Sequence, residues 1–322
     1  MSNLNNKIDE TPIVLFHMGK HLYFKRAVSL ITRLGFRPIV IGDSNIFSEK
    51  GICFIKFSEG DNFISDDWQE FIHNYAHLHT DQSSRIQLLS YMRWFVIHRE
   101  LESRGYKRFW HLDSDIALLK SFRLYKKQME EVCGGSALYK PVELHPHQMT
   151  VSAHASLWTV DDLKSFLDFM VLSYKGRDPR LSAKWKYHQE QGISGGVCDM
   201  TLQYLWFESS GSASKSPVQN ISTILNREWE FNDQVNHHLG RGVRSMRSLP
   251  DGSFAFIPPV SGPKNLLRKM PFIHCQGQAK PLIIFISYGF TVGLAIRLTN
   301  TSIFIREKIK NFINGQLNEK EF

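Results

Sequence analysis

The stretch that decides the fold is Arg108 to Leu119, Arg-Phe-Trp-His-Leu-Asp-Ser-Asp-Ile-Ala-Leu-Leu. Phe109 to Leu112 is short, aromatic and apolar, which is typical of a buried strand. Asp113 and Asp115 follow it between apolar residues, and because a buried unpaired carboxylate is costly, we expect a cation beside them. Two residues apart, both side chains would point to one side of an extended chain and bind a hard divalent ion. The alternative is a solvated turn after a strand, where Asp and Ser are common.

Strand and helix patterns alternate before this stretch. Pro12 to His17 predicts a first buried strand and Lys20 to Leu34 a helix. Pro38 to Ile41 and Ile52 to Phe57 predict two more strands. This alternation predicts an α/β fold with a Rossmann-like, mainly parallel central sheet flanked by helices.

Ligands of such sheets bind beyond the carboxyl ends of the strands, and two predicted turns lie there. They contain His17, Gly19 and Asp43, which are therefore candidate nucleotide contacts. The alternative for each of these residues is ordinary turn chemistry. Two helices are predicted next, over Asp66 to His77 and Ser83 to Ser103, and the second leads towards the Asp-x-Asp strand.

The pattern is less regular after the first 120 residues. Strands are predicted over Val132 to Tyr139 and Met149 to Val160. A helix is predicted over Asp161 to Tyr174 with Asp at its N-cap, and a polar, aromatic-rich loop over Lys175 to Gln191. A glycine-rich approach then leads into a helix over Cys198 to Phe207.

We therefore expect a catalytic domain over residues 12–280 whose two halves share one sheet. Residues 12–120 would form its nucleotide-binding half, and 121–280 a smaller, irregular acceptor-side half. A polar tail, 1–11, would precede this domain and a helical segment, 281–322, would follow it.

Composition narrows the class of partner. The chain has 322 residues, 42% hydrophobic and 22% charged, as in an ordinary globular protein. Its formal net charge is +8, and Lys264 to Lys310 holds eight Lys or Arg against one acid, which suits nucleotide phosphates or an anionic membrane. Nucleic acid is not expected as a partner, because these basic residues do not form an aromatic-interleaved motif.

Four cysteines without Cys-x-x-Cys spacing, and no apolar leader, predict a cytoplasmic protein with reduced thiols.

A second motif lies late in the chain, where an apolar lead-in is followed by His274-Cys-Gln-Gly277-Gln-Ala-Lys280-Pro281. The imidazole of His274 can bind a metal ion. Gly277 allows backbone to approach a phosphate closely, and Lys280 can neutralise a diphosphate. Each residue alone is ordinary, but with the earlier Asp-x-Asp they predict a metal-diphosphate clamp.

The ordered pair of motifs resembles the nucleotide-sugar glycosyltransferases of the GT-A fold, especially glycosyltransferase family eight. Tyr91-Met92-Arg93 is similar to that family's Tyr-Ala-Arg segment near the donor. The resemblance implies a UDP-sugar donor and a Mn²⁺ or Mg²⁺ ion. It implies metal ligands at Asp113, Asp115 and His274. Donor contacts are implied at Tyr91, Arg93, Asp113, Ser114, Gly277 and Lys280.

The chain departs from the family pattern in places. Leu282 stands where the family has Trp after Lys-Pro, and Ala153-His154-Ala155-Ser156 is the counterpart of its Asn-(Ala/Ser)-Gly segment. A carboxylate that stabilises positive charge on the sugar is expected at Asp199 or Asp233. Asp199 is favoured because it follows a glycine-rich approach to a helix, although an Asp there also suits the helix dipole.

We therefore expect an enzyme that transfers a hexose from a UDP-sugar to a glycan or lipid-linked acceptor, in cell-surface polysaccharide biosynthesis. Two alternative functions remain open: a hydrolase or phosphotransferase that uses the Asp-x-Asp pair, and a non-enzymatic carbohydrate-binding or membrane-peripheral protein.

Pro281 to Ile296 is uncharged but short for a membrane span, and basic and apolar residues are interleaved beyond it. This pattern favours attachment to the inner membrane face, or else a helix packed on the catalytic domain.

Overall fold

The computed structural model describes residues 11–45, 51–58, 65–140, 143, 147–210, 218–221, 246–248, 254–256, 268–269, 272–275, 280–288, 298 and 301. The strands are β1 (Ile13–His17), β2 (Ile39–Gly42), β3 (Cys53–Lys56), β4 (Arg108–Leu112), β5 (Ile116–Leu118), β6 (Ala137–Tyr139), β7 (Ser152–Thr159), β8 (Gln219–Asn220), β9 (Met246–Ser248), β10 (Phe254–Phe256), β11 (Arg268–Lys269) and β12 (Phe272–His274). The helices are α1 (Leu22–Arg33), α2 (Asp66–Asn74), α3 (Ser84–Ser103), α4 (Phe122–Val132), α5 (Val160–Lys175), α6 (Pro179–Glu190), α7 (Asp199–Ser210) and α8 (Pro281–Ser287).

Seven strands form the central sheet, in the order β3-β2-β1-β4-β7-β6-β8. The β3, β2, β1 and β4 strands are parallel, β7 is antiparallel to both β4 and β6, and β6 is parallel to β8. The fold is therefore the predicted α/β class with a mostly parallel central sheet. Two smaller sheets, β12-β5 and β11-β10-β9, complete the described strands.

The sheet is buried on both faces, which explains why its central strands are apolar throughout. In β4, Trp110 and Leu112 point into one core cluster and Phe109 into the other. In β1, Leu15 likewise points into the first cluster and Val14 into the second. This alternation follows from the two-residue period of a strand, and helices cover both faces. The apolar signature of the parallel half therefore predicted its strands to within a residue or two.

The second half corrects three predictions. The predicted strand over Val132–Tyr139 is wrong in its first part, because Val132 ends α4 and only Ala137–Tyr139 is extended. The predicted loop over Lys175–Gln191 is wrong because α6 fills most of it. The predicted Asp N-cap of α5 is also wrong, because the Thr159 side chain accepts from the Asp162 N–H at 3.0 Å.

The start of the C-terminal segment packs on the domain. Leu282 and Ile283 are fully buried in the core that α1 contributes to. The guanidinium of Arg33 donates to the Ser287 carbonyl, and that of Arg26 lies 4.4 Å from the centre of the Tyr288 ring. The packed-helix alternative therefore holds for residues 281–288, while 289–296 and 302–322 lie outside the described residues. Among the helices described, none combines the length and apolarity needed to cross a membrane.

Candidate active site

The candidate site lies where the carboxyl ends of β1, β2 and β4 meet. The parallel pairing brings together the residues that follow these strands, as predicted. The Gly19 N–H donates to Asp43 Oδ1 at 2.8 Å, which ties the first turn to the second. Gly19 has a φ of +92°, so its glycine is required by the left-handed backbone there. His17 lies at the end of β1 and lines the adjoining cleft.

Asp113 and Asp115 lie on a tight turn rather than on an extended chain. The Ile116 N–H donates to the Asp113 carbonyl at 3.2 Å, and the Asp113 N–H donates to the His154 carbonyl at 2.8 Å. The predicted reason for their convergence, the period of a strand, was therefore wrong. The turn nevertheless directs both carboxylates towards one point, and Ser114 between them lines the same cleft.

The late motif reaches this turn through a short antiparallel pair. β12 pairs with β5 in a register that sets His274 opposite Ile116. The Cys275 N–H donates to the Asp115 carbonyl at 2.8 Å, and His274 Nε2 lies 3.2 Å from Asp115 Oδ1. One ligand atom from each of Asp113, Asp115 and His274 lies within 4.8 Å of the other two.

Arg93 joins two of the site's carboxylates. Its Nη1 lies 2.8 Å from Asp113 Oδ1, and its Nη2 lies 2.6 Å from Asp199 Oδ2. Burial alone would raise the pKa of Asp113, but Arg93, with His111 and His274 nearby, holds it well below its usual range. Burial would likewise lower the pKa of Arg93, and the two carboxylates raise it above its usual value. Asp113 therefore stays ionised.

Asp199 is the first residue of α7 and is only 4% exposed. Besides Arg93, the indole N–H of Trp94 donates to its Oδ2 at 3.0 Å, so both contacts use one oxygen. The segment before it is fixed by an isolated bridge between His79 and Gly196. A Cβ at Gly196 would lie 2.2 Å from the Leu78 carbonyl oxygen, so only glycine fits there. The glycine-rich approach thus sets where Asp199 enters the cleft.

Lys280 approaches the site from the start of α8. Its Nζ lies 3.7 Å from Asp115 Oδ2 and 4.6 Å from the centre of the Tyr23 ring, and it donates to the Tyr23 hydroxyl at 3.3 Å.

Burial, with His21 and Lys280 nearby, lowers the pKa of His17 to about 3. His17 is therefore neutral at physiological pH and adds no charge here.

The donor set fits a divalent ion. Two carboxylates and an imidazole match Mn²⁺, which accepts oxygen ligands as Mg²⁺ does and also tolerates a nitrogen ligand. The charged side chains that line the cleft, among the residues the structure describes, are three carboxylates and two cations. With the histidines counted as neutral, this lining has a net charge of −1, which would repel a diphosphate. A bound divalent ion would make it positive.

These side chains line a cleft of about 500 Å³. It brings together the following predicted site residues: His17, Arg93, Asp113, Ser114, Asp115, Asp199, His274 and Lys280. Gly19 and Asp43 lie near this edge and bond to each other. Asp233 and Gly277 lie outside the described residues.

The prediction for Tyr91 needs correction. Its side chain is fully buried in the aromatic core, and its hydroxyl lies 3.1 Å from that of Tyr174. It points away from the cleft because Arg93, two positions along the helix, takes the face towards the site.

Sequence reasoning gave no role to two residues that shape the site. The His154 ring stacks on His274 with centroids 4.6 Å apart, and Trp94 holds Asp199. His154 was noted only within a segment that departs from the family pattern. Trp94 carried no separate motif, because an aromatic residue on a buried helix face is an ordinary core residue.

No protein-family model matches the chain, and no curated protein matches it significantly. One similar solved structure is a glycosyltransferase involved in the glycosylation of the major capsid of PBCV-1, at 11% identity and a TM-score of 0.28, covering 50% of this chain and 66% of that one. Another is mouse xyloside xylosyltransferase 1 in its apo form, at 9% identity and a TM-score of 0.39, covering 62% of this chain and 82% of that one. Similarities this low do not establish a shared activity.

Proposed function

We propose that this protein is a metal-dependent glycosyltransferase that transfers a sugar from a UDP-sugar to a glycan or glycolipid acceptor. The observation that carries the proposal is the convergence of Asp113, Asp115 and His274 at the carboxyl end of the parallel strands. An Asp-x-Asp turn alone is common, but here a third ligand arrives from a distant part of the chain.

The charges around this triad support an anionic donor. Asp113, Asp115 and His274 would hold Mn²⁺, which when bound neutralises charge on the diphosphate leaving group. Lys280 lies beside Asp115 and would donate to a diphosphate oxygen, because a charge-assisted contact to phosphate is strong. UDP as the nucleotide rests on the sequence resemblance.

Asp199 is the carboxylate assigned to the sugar. In the proposed transfer, the bond between the anomeric carbon and the diphosphate oxygen breaks, and its electron pair leaves with UDP. The acceptor hydroxyl oxygen forms the new bond, and its proton is taken up by the departing diphosphate. Positive charge develops on the sugar as this happens, and the Asp199 carboxylate, held by Arg93 and Trp94, would stabilise it. Arg93 is engaged by Asp113 and Asp199, so it positions these carboxylates rather than the leaving group.

The test is a donor screen that reads released UDP, with Mn²⁺ and with a chelator. We expect release from at least one UDP-sugar in Mn²⁺ and its loss with chelator. Asp113→Asn and Asp115→Asn should each abolish release while circular dichroism shows an intact fold. The matched control is Asp168→Asn, which changes an exposed carboxylate on α5 that pairs with Lys164. Full activity in Asp115→Asn, or release that the chelator leaves unchanged, would refute the metal site.

A further inference from the structure

The cleft continues beyond the triad, and its outer part has a different chemistry. It runs along α3 from Arg93 towards the N-terminal end of that helix. From Ile86 to Arg93 is seven residues, about 10 Å along a helix axis, which is longer than one sugar ring. The outer part is lined by His79, Gln82, Ile86, Gln87, Ser90 and Met200.

Two of these residues are apolar and exposed. Ile86 is 52% exposed and Met200 is 36% exposed, on elements that both line the cleft. Ile86 lies at the rim of the cleft, where it offers a nonpolar surface to a ligand.

The polar groups that the described residues contribute to the outer part are uncharged, and one of them lacks a hydrogen-bond partner among those residues. Gln87 is 1% exposed, and its Nε2 donates to Gln82 Oε1 at 2.8 Å. Its Oε1 is buried and accepts no hydrogen bond from the part of the chain that the structure describes. A buried acceptor left unsatisfied is costly, so a hydroxyl donor entering the cleft would be favoured.

His79 adds a neutral donor. Its Nδ1 accepts from the N–H groups of Asp81 and Gln82, at 3.1 and 3.3 Å, which places the ring proton on Nε2. Burial lowers the pKa of His79 more than Asp81 raises it, which agrees with a neutral ring. Asp81 itself is bonded to Thr80 and Ser194 and does not line the cleft.

We propose that this outer part is a subsite for an uncharged carbohydrate. Resting on the proposed function, we assign it to the acceptor. Sugar hydroxyls both donate and accept, and so match two amides, a serine and an imidazole N–H. The C–H face of a sugar ring would pack on Ile86 and Met200. An acidic sugar or a phosphate would enter without a counter-charge, because none of the described residues lining the outer part is charged.

The test measures saccharide binding to the full chain by saturation-transfer difference NMR, with Mn²⁺ and UDP present. The probes are neutral hexose and N-acetylhexosamine oligosaccharides and matched oligosaccharides that carry uronic acid or phosphate. We expect binding of neutral probes only. Gln82→Ala and Ile86→Ser should each weaken it at least fivefold. The matched control is Leu172→Ser, which removes an apolar side chain that is 64% exposed and does not line the cleft.

Each result bears on the subsite independently of turnover. Equal or tighter binding of the acidic probes, no binding of any probe, or binding that Gln82→Ala and Ile86→Ser leave unchanged would overturn it. Neutral probes that bind and weaken as expected would support the subsite even if no UDP-sugar released UDP. In that case the transferase proposal alone would fail.

Discussion

Replacing Arg93 by Met should destabilise the protein in a way that Mn²⁺ reverses. Arg93 is 19% exposed at its side chain and pairs with Asp113, 25% exposed, and Asp199, 6% exposed. Its removal leaves two largely buried carboxylates without their cation, and breaking a buried pair costs ~3–5 kcal/mol. Because Arg93 and Asp113 keep some contact with water, we expect the lower end, about 3 kcal/mol. This would lower Tm by roughly 6 °C, from the shift per kcal/mol of domains of a few hundred residues.

Mn²⁺ supplies the charge that the variant lacks. At a hundred times its Kd, a ligand that binds only the folded state adds about 2.7 kcal/mol, close to the expected loss. In the wild type, Arg93 already neutralises Asp113 and repels the ion, so Mn²⁺ should raise Tm less. The assay is thermal unfolding of both proteins across a Mn²⁺ titration, with Mg²⁺ titrated in parallel.

Arg99→Met is the matched control on the same helix. Arg99 is 43% exposed, and its partner Glu100 keeps a second arginine, Arg104, at 3.5 Å. We expect a loss of no more than about 1 kcal/mol and no dependence on Mn²⁺. The reasoning is refuted if Arg93→Met is as stable as Arg99→Met, or if Mn²⁺ stabilises Arg93→Met no more than the wild type.

Three further predictions address the rest of the site. His274→Ala should weaken Mn²⁺-dependent UDP binding because it removes a proposed metal ligand. Lys280→Ala should weaken UDP binding by ~1.5–3 kcal/mol because it removes a charge-assisted contact to phosphate. Unchanged affinity and metal dependence in calorimetry of both variants would rule out the clamp. Asp199→Asn should lower kcat with little change in UDP affinity, as expected for a transition-state contact; an active Asp199→Asn beside an inactive Asp233→Asn would reverse the assignment. The pKa of His17 is about 3 in the folded chain, against 6.5 for an ordinary histidine in the unfolded chain. Between these pH values the unfolded chain binds more protons than the folded chain, so the free energy of unfolding falls as the pH falls. The loss should be roughly 3 kcal/mol by pH 4, and urea unfolding at several pH values should show it reduced in His17→Asn.

The sequence predicted the parallel half well because burial on both faces leaves an unbroken apolar signature. β1 and β4 each match a predicted strand to within a residue. Asp113 and His274 were recognisable as candidate metal ligands from their neighbours, since each lies at the end of an apolar stretch and carries a metal-ligating side chain. Their convergence joins distant parts of the chain, and its prediction rested on the ordered pair of motifs and the family resemblance.

The second half carried weaker signals. The α6 helix has few buried residues and many polar ones, so it resembled a loop, although Asp178 before Pro179 is a helix-start signal that could have revealed it. The family resemblance implied Arg93 as a donor contact, but its pairing with two carboxylates was not predictable. Its two carboxylate partners come from β4's exit and from α7, and only the packed structure brings them to one guanidinium.

The pairing of β12 with β5 has a consequence for how the site is assembled during folding. The strands of the central sheet from β1 to β8 all precede β12 in the chain, so the sheet can form before His274 arrives. Closing such a long loop is an entropically costly, late event. Metal affinity should therefore appear after most secondary structure in a refolding experiment. During synthesis on the ribosome, the candidate catalytic centre would be complete only after β12 has emerged and paired with β5.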